Sequence, residues 1–444
     1  MKQILQNLKS GKTELRDVPV PNSLNGNLLI KTSNTLISAG TERMLVEFGK
    51  SSYIGKAKSQ PEKVQQVIDK IKTDGLLPTI ESVFNRLDEP LPLGYCNAGV
   101  VVEGVEEKDS GRQTADGEKR SAVRGLLSSF SAGDRVVSNG PHAEFVSVGH
   151  NLCAKIPDGV SDEEAAFTVL GSIGLQGIRL LKPDIGEKVV VYGLGLVGLL
   201  CVQMLQANGC DVLGIDLNEE RCELARSFGA EVCNPAKGGD PVKAVMGWTG
   251  EHGADGVLIT AAAKTDEIVH QSCRMSRKRG RIIVVGSVGM QLRRSEFYEK
   301  ELIFQSSCSY GPGRYDDNYE VKGLDYPFGF FRWTEKRNFD AVLRMMEKGQ
   351  LDVTPLITHR FDLADASRAY DLISNESDTL GVILQYPDQP DTDTSVRVTE
   401  IQASPRPEKR VRVGVIGAGN FTKVVLMPAL ARTDADLRYV ASSG

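Results

Sequence analysis

No CxxC pair occurs anywhere in the 444 residues. The eight cysteines, Cys96, Cys153, Cys201, Cys210, Cys222, Cys233, Cys273 and Cys308, stand singly. That scatter excludes the paired spacing of a structural zinc site and fits reduced thiols in a cytosolic fold better than a disulfide framework. Most of them read as small core residues. No apolar run approaches the length of a bilayer span, and the opening MKQILQNLKSGKTEL lacks the apolar centre of a secretory signal. An excess of positive charge is also missing: a net charge of -5 gives no general attraction for nucleic acid or an anionic membrane. The expectation is a cytoplasmic protein with neither as a partner, and its 41% apolar content is enough to bury the cores of two or three domains.

What is present centres on Glu187 to Asp216. A β-branched run, Lys188 to Tyr192, is followed at once by Gly193, Gly195 and Gly198 in GxGxxG spacing, and then by an apolar helical run. A second strand, Asp211 to Ile215, ends in the acid Asp216. This is the pattern of a dinucleotide site. Gly193 allows the tight turn, Gly195 lets a pyrophosphate approach the backbone, Gly198 lets helix and strand pack closely, and the helix N-terminus offers free N–H groups. Leu194, Leu196 and Val197 complete the loop, and Gly286, directly after a later strand at Arg281 to Val285, is a further candidate cofactor contact. Asp216 is expected to hold the ribose hydroxyls, and a carboxylate there repels a 2′-phosphate, which favours NAD over NADP. The alternative is a tight turn that binds nothing.

Within a first domain of residues 1 to 155, residues 1 to 49 alternate short β-like runs, Asn27 to Thr32 and Thr35 to Ile37, with Gly and Pro, as barrel-like domains do. Two helical patterns, Val64 to Ile71 and Leu77 to Leu87, and a polar stretch, Glu106 to Ser131, interrupt them. A helix start at Ser161 is marked by Asp162, Glu163 and Glu164. From 156 to 309 strands and helices alternate, which predicts a doubly wound parallel sheet, and 310 to 386 loses that alternation and is expected to return to the first domain. Residues 387 to 410 are rich in Pro, Asp, Thr and Ser and read as a linker. Beyond it, 411 to 444 repeat the theme of strand, Gly417, Gly419, helix and strand, as the beginning of a second, incomplete dinucleotide-type unit.

The order of these parts resembles the medium-chain dehydrogenase/reductase superfamily over residues 1 to 386, through SAGTE, LGYCNAGVVVEGV, GDRV, AEFVSV and GLGLVG. The tail VGVIGAGNF resembles the first unit of the glucose-fructose oxidoreductase and inositol dehydrogenase family. The fold implied is α/β, with a GroES-like β-rich catalytic domain, a doubly wound Rossmann domain and a fragment of a second Rossmann unit. Where zinc-dependent members of the superfamily carry metal ligands, this chain has Ala39, Tyr95 and Gly171. The resemblance therefore implies the zinc-independent branch, with NAD as cofactor and no zinc.

Without a metal, something must donate hydrogen bonds to the substrate oxygen as hydride moves. Thr41 matches the relay hydroxyl of the superfamily, and Tyr95 is expected to face the same cleft as donor or general acid. Glu42 and Cys96 adjoin them, and His142 in GPHAE is a candidate proton shuttle. The bland alternatives are a turn-capping Thr41, a space-filling Tyr95 and a core Cys96. Lys50, Lys56, Lys58, Lys63, Lys70 and Lys72 either meet a phosphorylated substrate or line a solvated helix face. The aromatic run Tyr326 to Trp333 either stacks on a sugar ring or packs the return segment.

The implied activity is NAD-dependent hydride transfer at a carbinol or carbonyl carbon of a small-molecule substrate, a sugar or sugar nucleotide of surface-polysaccharide metabolism, by a homodimer. Reduction of a quinone or activated alkene, and an NAD-binding module without catalysis, are the alternatives.

Overall fold

The computed structural model describes residues 1–21, 26–52, 55–56, 87, 89–103, 130–376, 379–388, 411–419 and 421–441. The helical patterns at 64 to 87, the polar insertion and the linker fall almost wholly outside these residues. The chain divides into two compact units, one of residues 1–22, 44–92 and 391–444, the other of 23–43 and 93–390.

The larger unit holds two sheets. In the first, the long strand β3 (Asn27–Ser38) is the organising element. It pairs antiparallel with β5 (Asn97–Glu103), β7 (Phe145–Gly149) and β16 (Gly381–Gln385). Strand β6 (Arg135–Ser138) extends the sheet to β8 (Cys153–Lys155), and β15 (Ile357–Asp362) lies outside β16. The expected strands at Asn27 to Thr32 and Thr35 to Ile37 are thus one strand, and residues from the far end of the chain complete its sheet. Leu28, Ile30, Leu36 and Ile37 of β3 are fully buried, each worth roughly 1.5–3 kcal/mol of apolar burial, which anchors β3 at the centre.

The second sheet is wholly parallel. Its strands β9 (Lys188–Tyr192), β10 (Asp211–Ile215), β11 (Glu231–Cys233), β12 (Ala254–Ile259), β13 (Ser276–Val284) and β14 (Ile303–Ser306) run in the order β11-β10-β9-β12-β13-β14. The order reverses direction at β9, and in open α/β sheets ligands bind at such a switch point, beyond the carboxyl ends of the strands. Ser161 forms the expected capping box with Glu164 at the start of helix Asp162–Ala165. The following helix, Thr168–Leu181, lies against the sheet, with Leu181 packed on Gly256 at the start of β12.

The smaller unit contains the antiparallel strands β1 (Lys2–Gln6), β2 (Thr13–Asp17) and β4 (Leu91–Pro92). It also contains the parallel pair β17 (Arg412–Ile416) and β18 (Asp436–Ala441), with helical turns at 422–431 between them in sequence. Among the described residues no helix is long and apolar enough to cross a membrane.

Candidate active site

The dinucleotide turn follows β9. Gly193 sits at φ 101, where a Cβ would lie 2.6 Å from the Ala261 backbone, so only glycine fits. A Cβ on Gly198 would come within 1.9 Å of the Gly193 carbonyl oxygen. Gly195 is different: a Cβ there meets nothing within 4 Å, so the turn is open on that side. Gly195 also caps helix Leu196–Ala207 without any side-chain hydrogen bond, leaving first-turn N–H groups unpaired by a side chain. An open backbone and unfilled N–H groups suit the diphosphate of a dinucleotide. Leu196 and Val197 are half-buried in that first turn.

Three residues expected to bind cofactor have other duties here. Asp216 Oδ2 accepts the Leu194 N–H at 2.6 Å and Oδ1 accepts the Asn218 N–H at 2.9 Å, so this carboxylate ties the glycine turn to the end of β10. Lone pairs remain on both oxygens for ribose hydroxyls. Leu194 is a correction: its N–H is taken up by Asp216, and its side chain is buried in the gap left by Gly214. Gly286 serves close packing, since a Cβ would lie 2.1 Å from the Ala261 carbonyl oxygen.

The second cluster forms where β3 passes into helix Ala39–Lys50 and where Gly94 leads toward β5. Tyr95 donates to Ser38 Oγ at 2.7 Å and lies 3.2 Å from Thr41 Oγ1. Thr41 is exposed, Tyr95 half-buried and Ser38 buried, so the three hydroxyls step inward from solvent. Burial pushes the Tyr95 hydroxyl above its ordinary pKa, which keeps it protonated and a donor.

Behind them lies a second set of polar groups closed to solvent. Glu42 Oε1 accepts the Ser38 N–H at 2.9 Å, and His142 Nε2 lies 3.1 Å from Glu42 Oε2. Tyr370 also donates to Glu42 Oε2. On the other side of the ring, His142 Nδ1 is 2.7 Å from Thr35 Oγ1, which is 3.2 Å from the Tyr386 hydroxyl. Burial, together with the charge of Glu42, pushes both tyrosines far above their usual range. His142 therefore does not stand in an open loop as a shuttle, and Glu42 does not reach the cleft. Gly94, at φ 89, lies flat against the imidazole, a Cβ there falling 2.5 Å from Cδ2. Cys96 is fully buried, with its thiol pushed well up by burial and by Glu42, which is the behaviour of a core residue.

Ser38, Thr35, Tyr370 and Tyr386 escaped sequence reasoning. Tyr370 is 328 residues from Glu42 in sequence, and nothing local announces the contact. Its one signal is a tyrosine on the buried face of helix Ala366–Asn375, because a buried phenol needs a partner. Among the lysines, Lys56 is buried, with Nζ on the Gly49 and Ser51 carbonyls at 2.8 and 2.7 Å, and so faces no substrate. Lys50 is exposed, while Lys58, Lys63, Lys70 and Lys72 lie outside the described residues.

A 3-2-1-4-5-6 parallel sheet with an open glycine turn, together with a β-sheet bearing a cluster of hydroxyls, is an arrangement that suits an oxidoreductase. The comparisons agree. The family described as zinc-binding dehydrogenase matches residues 197–324. An alcohol dehydrogenase of Cupriavidus necator is 26% identical over 377 residues, 84% of this chain and 94% of that protein. D-guloside 3-dehydrogenase of Escherichia coli is 28% identical over 254 residues, 55% of this chain and 68% of its own. The crystal structure of galactitol-1-phosphate dehydrogenase from Escherichia coli has a TM-score of 0.63 at 16% identity, covering 87% of this chain and all of that one, which is a likeness of fold. These matches make the chain similar to medium-chain zinc-binding dehydrogenases, and the relatives named are dehydrogenases acting on alcohols, polyols and sugars.

They also correct the expectation of a chain without zinc, because the family matched is zinc-binding. Among the described residues, however, no group of three or more His, Cys, Asp or Glu side chains converges as a ligand set. Those residues do not assemble a site for the ion.

Proposed function

We propose that this chain is an NAD-dependent dehydrogenase/reductase that moves hydride between the nicotinamide and a carbinol or carbonyl carbon of a sugar or sugar nucleotide. The observation that carries this reading is the stepped hydroxyl cluster Thr41–Tyr95–Ser38, backed by Glu42 and His142, in the same compact unit as the open Gly195 turn. The sugar is suggested by the relative named D-guloside 3-dehydrogenase and by the resemblance of the tail to sugar oxidoreductases.

Bound NAD supplies the hydride acceptor, or donor when reduced. The turn at Gly193, Gly195 and Gly198 receives the diphosphate, the first turn of helix Leu196–Ala207 offers N–H groups to it, and Asp216 takes the ribose hydroxyls. At the carbon end, Thr41 presents its hydroxyl to the substrate oxygen, and the proton that this oxygen loses on oxidation or gains on reduction exchanges with solvent through the exposed Thr41 hydroxyl. Tyr95 lies against Thr41 and steadies the charge that develops there by hydrogen bonding, since its raised pKa keeps the proton on the phenol. Glu42 and His142 act through position: the carboxylate fixes the Ser38 backbone, and the imidazole fixes the carboxylate.

The protein is read as a cytoplasmic homodimer with a catalytic domain of residues 1–155 and 310–386 and an NAD domain of 156–309. Residues 411–444 are read as the opening βαβ of a second Rossmann domain after a 387–410 linker. The test is a fluorescence titration with NADH and NADPH, followed by a screen of sugars and sugar nucleotides for NADH formation. Binding of NADH with turnover of a hydroxylated sugar is expected, while tight NADPH binding with none for NADH would sink the NAD assignment. Sedimentation showing only monomer would remove the dimer.

A further inference from the structure

The segment after β14 carries a stack of cations and aromatic rings that the dehydrogenase reading leaves unused. The Arg179 guanidinium carbon lies 3.2 Å from the centre of the Trp333 ring, and that of Arg332 lies 3.8 Å from it. Two guanidinium groups so near one centroid would overlap on a single face, so they cover opposite faces of the indole. The stack continues, with Arg332 4.9 Å from the Phe328 ring and Arg337 5.2 Å from the same ring.

The charges in this stack are unequally matched. Arg337 pairs with Asp325 at 2.5 Å. Neither Arg179 nor Arg332 has a carboxylate partner among the described residues, and Arg179 Nε is held by the neutral Asn338 Oδ1 at 2.8 Å. Two positive charges therefore share one ring, one of them half-buried on a helix. Ring faces attract cations but do not neutralise them, and guanidinium forks are built for paired oxygens of phosphates. Burial and the facing Arg332 lower the Arg179 pKa to about 10, the mark of a charge held without a counter-ion.

The position is separate from the dinucleotide turn. Arg179 follows Gly171 by just over two turns of helix Thr168–Leu181, about 12 Å along its axis. It lies near Leu181, which packs at the start of β12, whereas the glycine turn lies beyond the carboxyl end of β9.

We infer that Arg179 and Arg332, clamping Trp333, form a binding site for a soluble phosphate-bearing ligand, with a diphosphate the best match for two guanidinium groups on opposite faces of one ring. Exposed Phe328 and Phe330, at 59% and 88%, offer ring surface beside it for the remainder of the ligand. This inference does not depend on the dehydrogenase activity.

The chain has two tryptophans, so Trp248→Phe leaves Trp333 as the sole indole of the full-length protein. Titration of that protein with sodium pyrophosphate should change Trp333 emission saturably, with orthophosphate weaker and sodium chloride at matched ionic strength without effect. Arg179→Gln and Arg332→Gln should each weaken the apparent affinity roughly tenfold or more. Calorimetric titration of the unsubstituted protein with pyrophosphate should agree. A response no greater than that to chloride, or one undiminished in both glutamine variants, overturns the site. So does a response confined to phosphatidylglycerol vesicles, which would make the exposed phenylalanines a lipid contact. If Arg179→Gln does not fold, the exposed Arg332 carries the test alone.

Discussion

His142 Nε2 lies 3.1 Å from Glu42 Oε2, and solvent reaches neither side chain. The contact joins the first turn of helix Ala39–Lys50 to the loop before β7, and Tyr370 from the far end of the chain closes it. A carboxylate in such a place is held by its donors: the Ser38 N–H, His142 and Tyr370.

Removing that carboxylate leaves all three donors buried without an acceptor. Glu42→Ala is expected to destabilise the fold by about 3–5 kcal/mol, and Glu42→Gln by less, since the amide oxygen still accepts. Urea unfolding of both variants measures this, and equal losses would show that the acceptor oxygens do not matter.

Tyr95→Phe keeps the ring and deletes the donor to Ser38 and Thr41. Turnover should fall by about 10²-fold with dinucleotide affinity unchanged, because only the developing charge on the substrate oxygen loses its support. In the unsubstituted enzyme the phenol stays protonated through pH 10, so no alkaline loss of rate should follow the ordinary tyrosine value of 10.0. A pH–rate profile falling at that point would contradict its assigned burial.

The three glycines of the turn separate folding from binding. Gly195→Ala adds a methyl that meets no protein atom, so stability should change by less than about 0.5 kcal/mol while NADH affinity drops. Gly198→Ala drives a methyl into the Gly193 carbonyl and should cost roughly 3 kcal/mol or more. Thermal melts paired with NADH titrations would refute the pair if the order were reversed.

Glu335 gives a prediction in pH. It is fully buried, and burial, with Glu320 beside it, pushes its pKa up to about 9 despite the lowering effect of Arg314. Arg314 itself bonds Glu320 at 2.7 Å, and Tyr310 and Tyr319 also face the group. The folded chain thus keeps a proton that the unfolded chain releases near the ordinary 4.5. Its contribution is whole below that pH and is lost as pH rises toward 9. Glu335→Gln, neutral throughout, should flatten this decline and raise Tm at pH 8 by about 2 °C or more. A variant that melts lower than the parent at pH 8 would show that the side chain is ionised after all.

Much of the parallel-sheet half was legible because its signals are local. Strand β9, the glycine turn and β10 lie within one short stretch, and Gly198 packs on the Gly193 carbonyl inside it. The capping box at Ser161 is local in the same way. Strand ends were less legible: β13 begins at Ser276 rather than Arg281, since its ladder is completed by a bulged pairing with β12. His142 does lie in a loop, but its burial was not legible because its partners, Glu42 and Thr35, come from β3 and the helix after it.

The sequence by itself determined the order of elements, the glycine turn and Asp216, because backbone geometry and helix–strand spacing are dictated within a few residues. Only the tertiary structure decided which hydroxyls meet at Tyr95, that Glu42 and His142 are buried supports, and that Arg179 and Arg332 share one indole. Those outcomes depend on pairing distant strands in register and on closing solvent out, and no run of neighbouring residues encodes either.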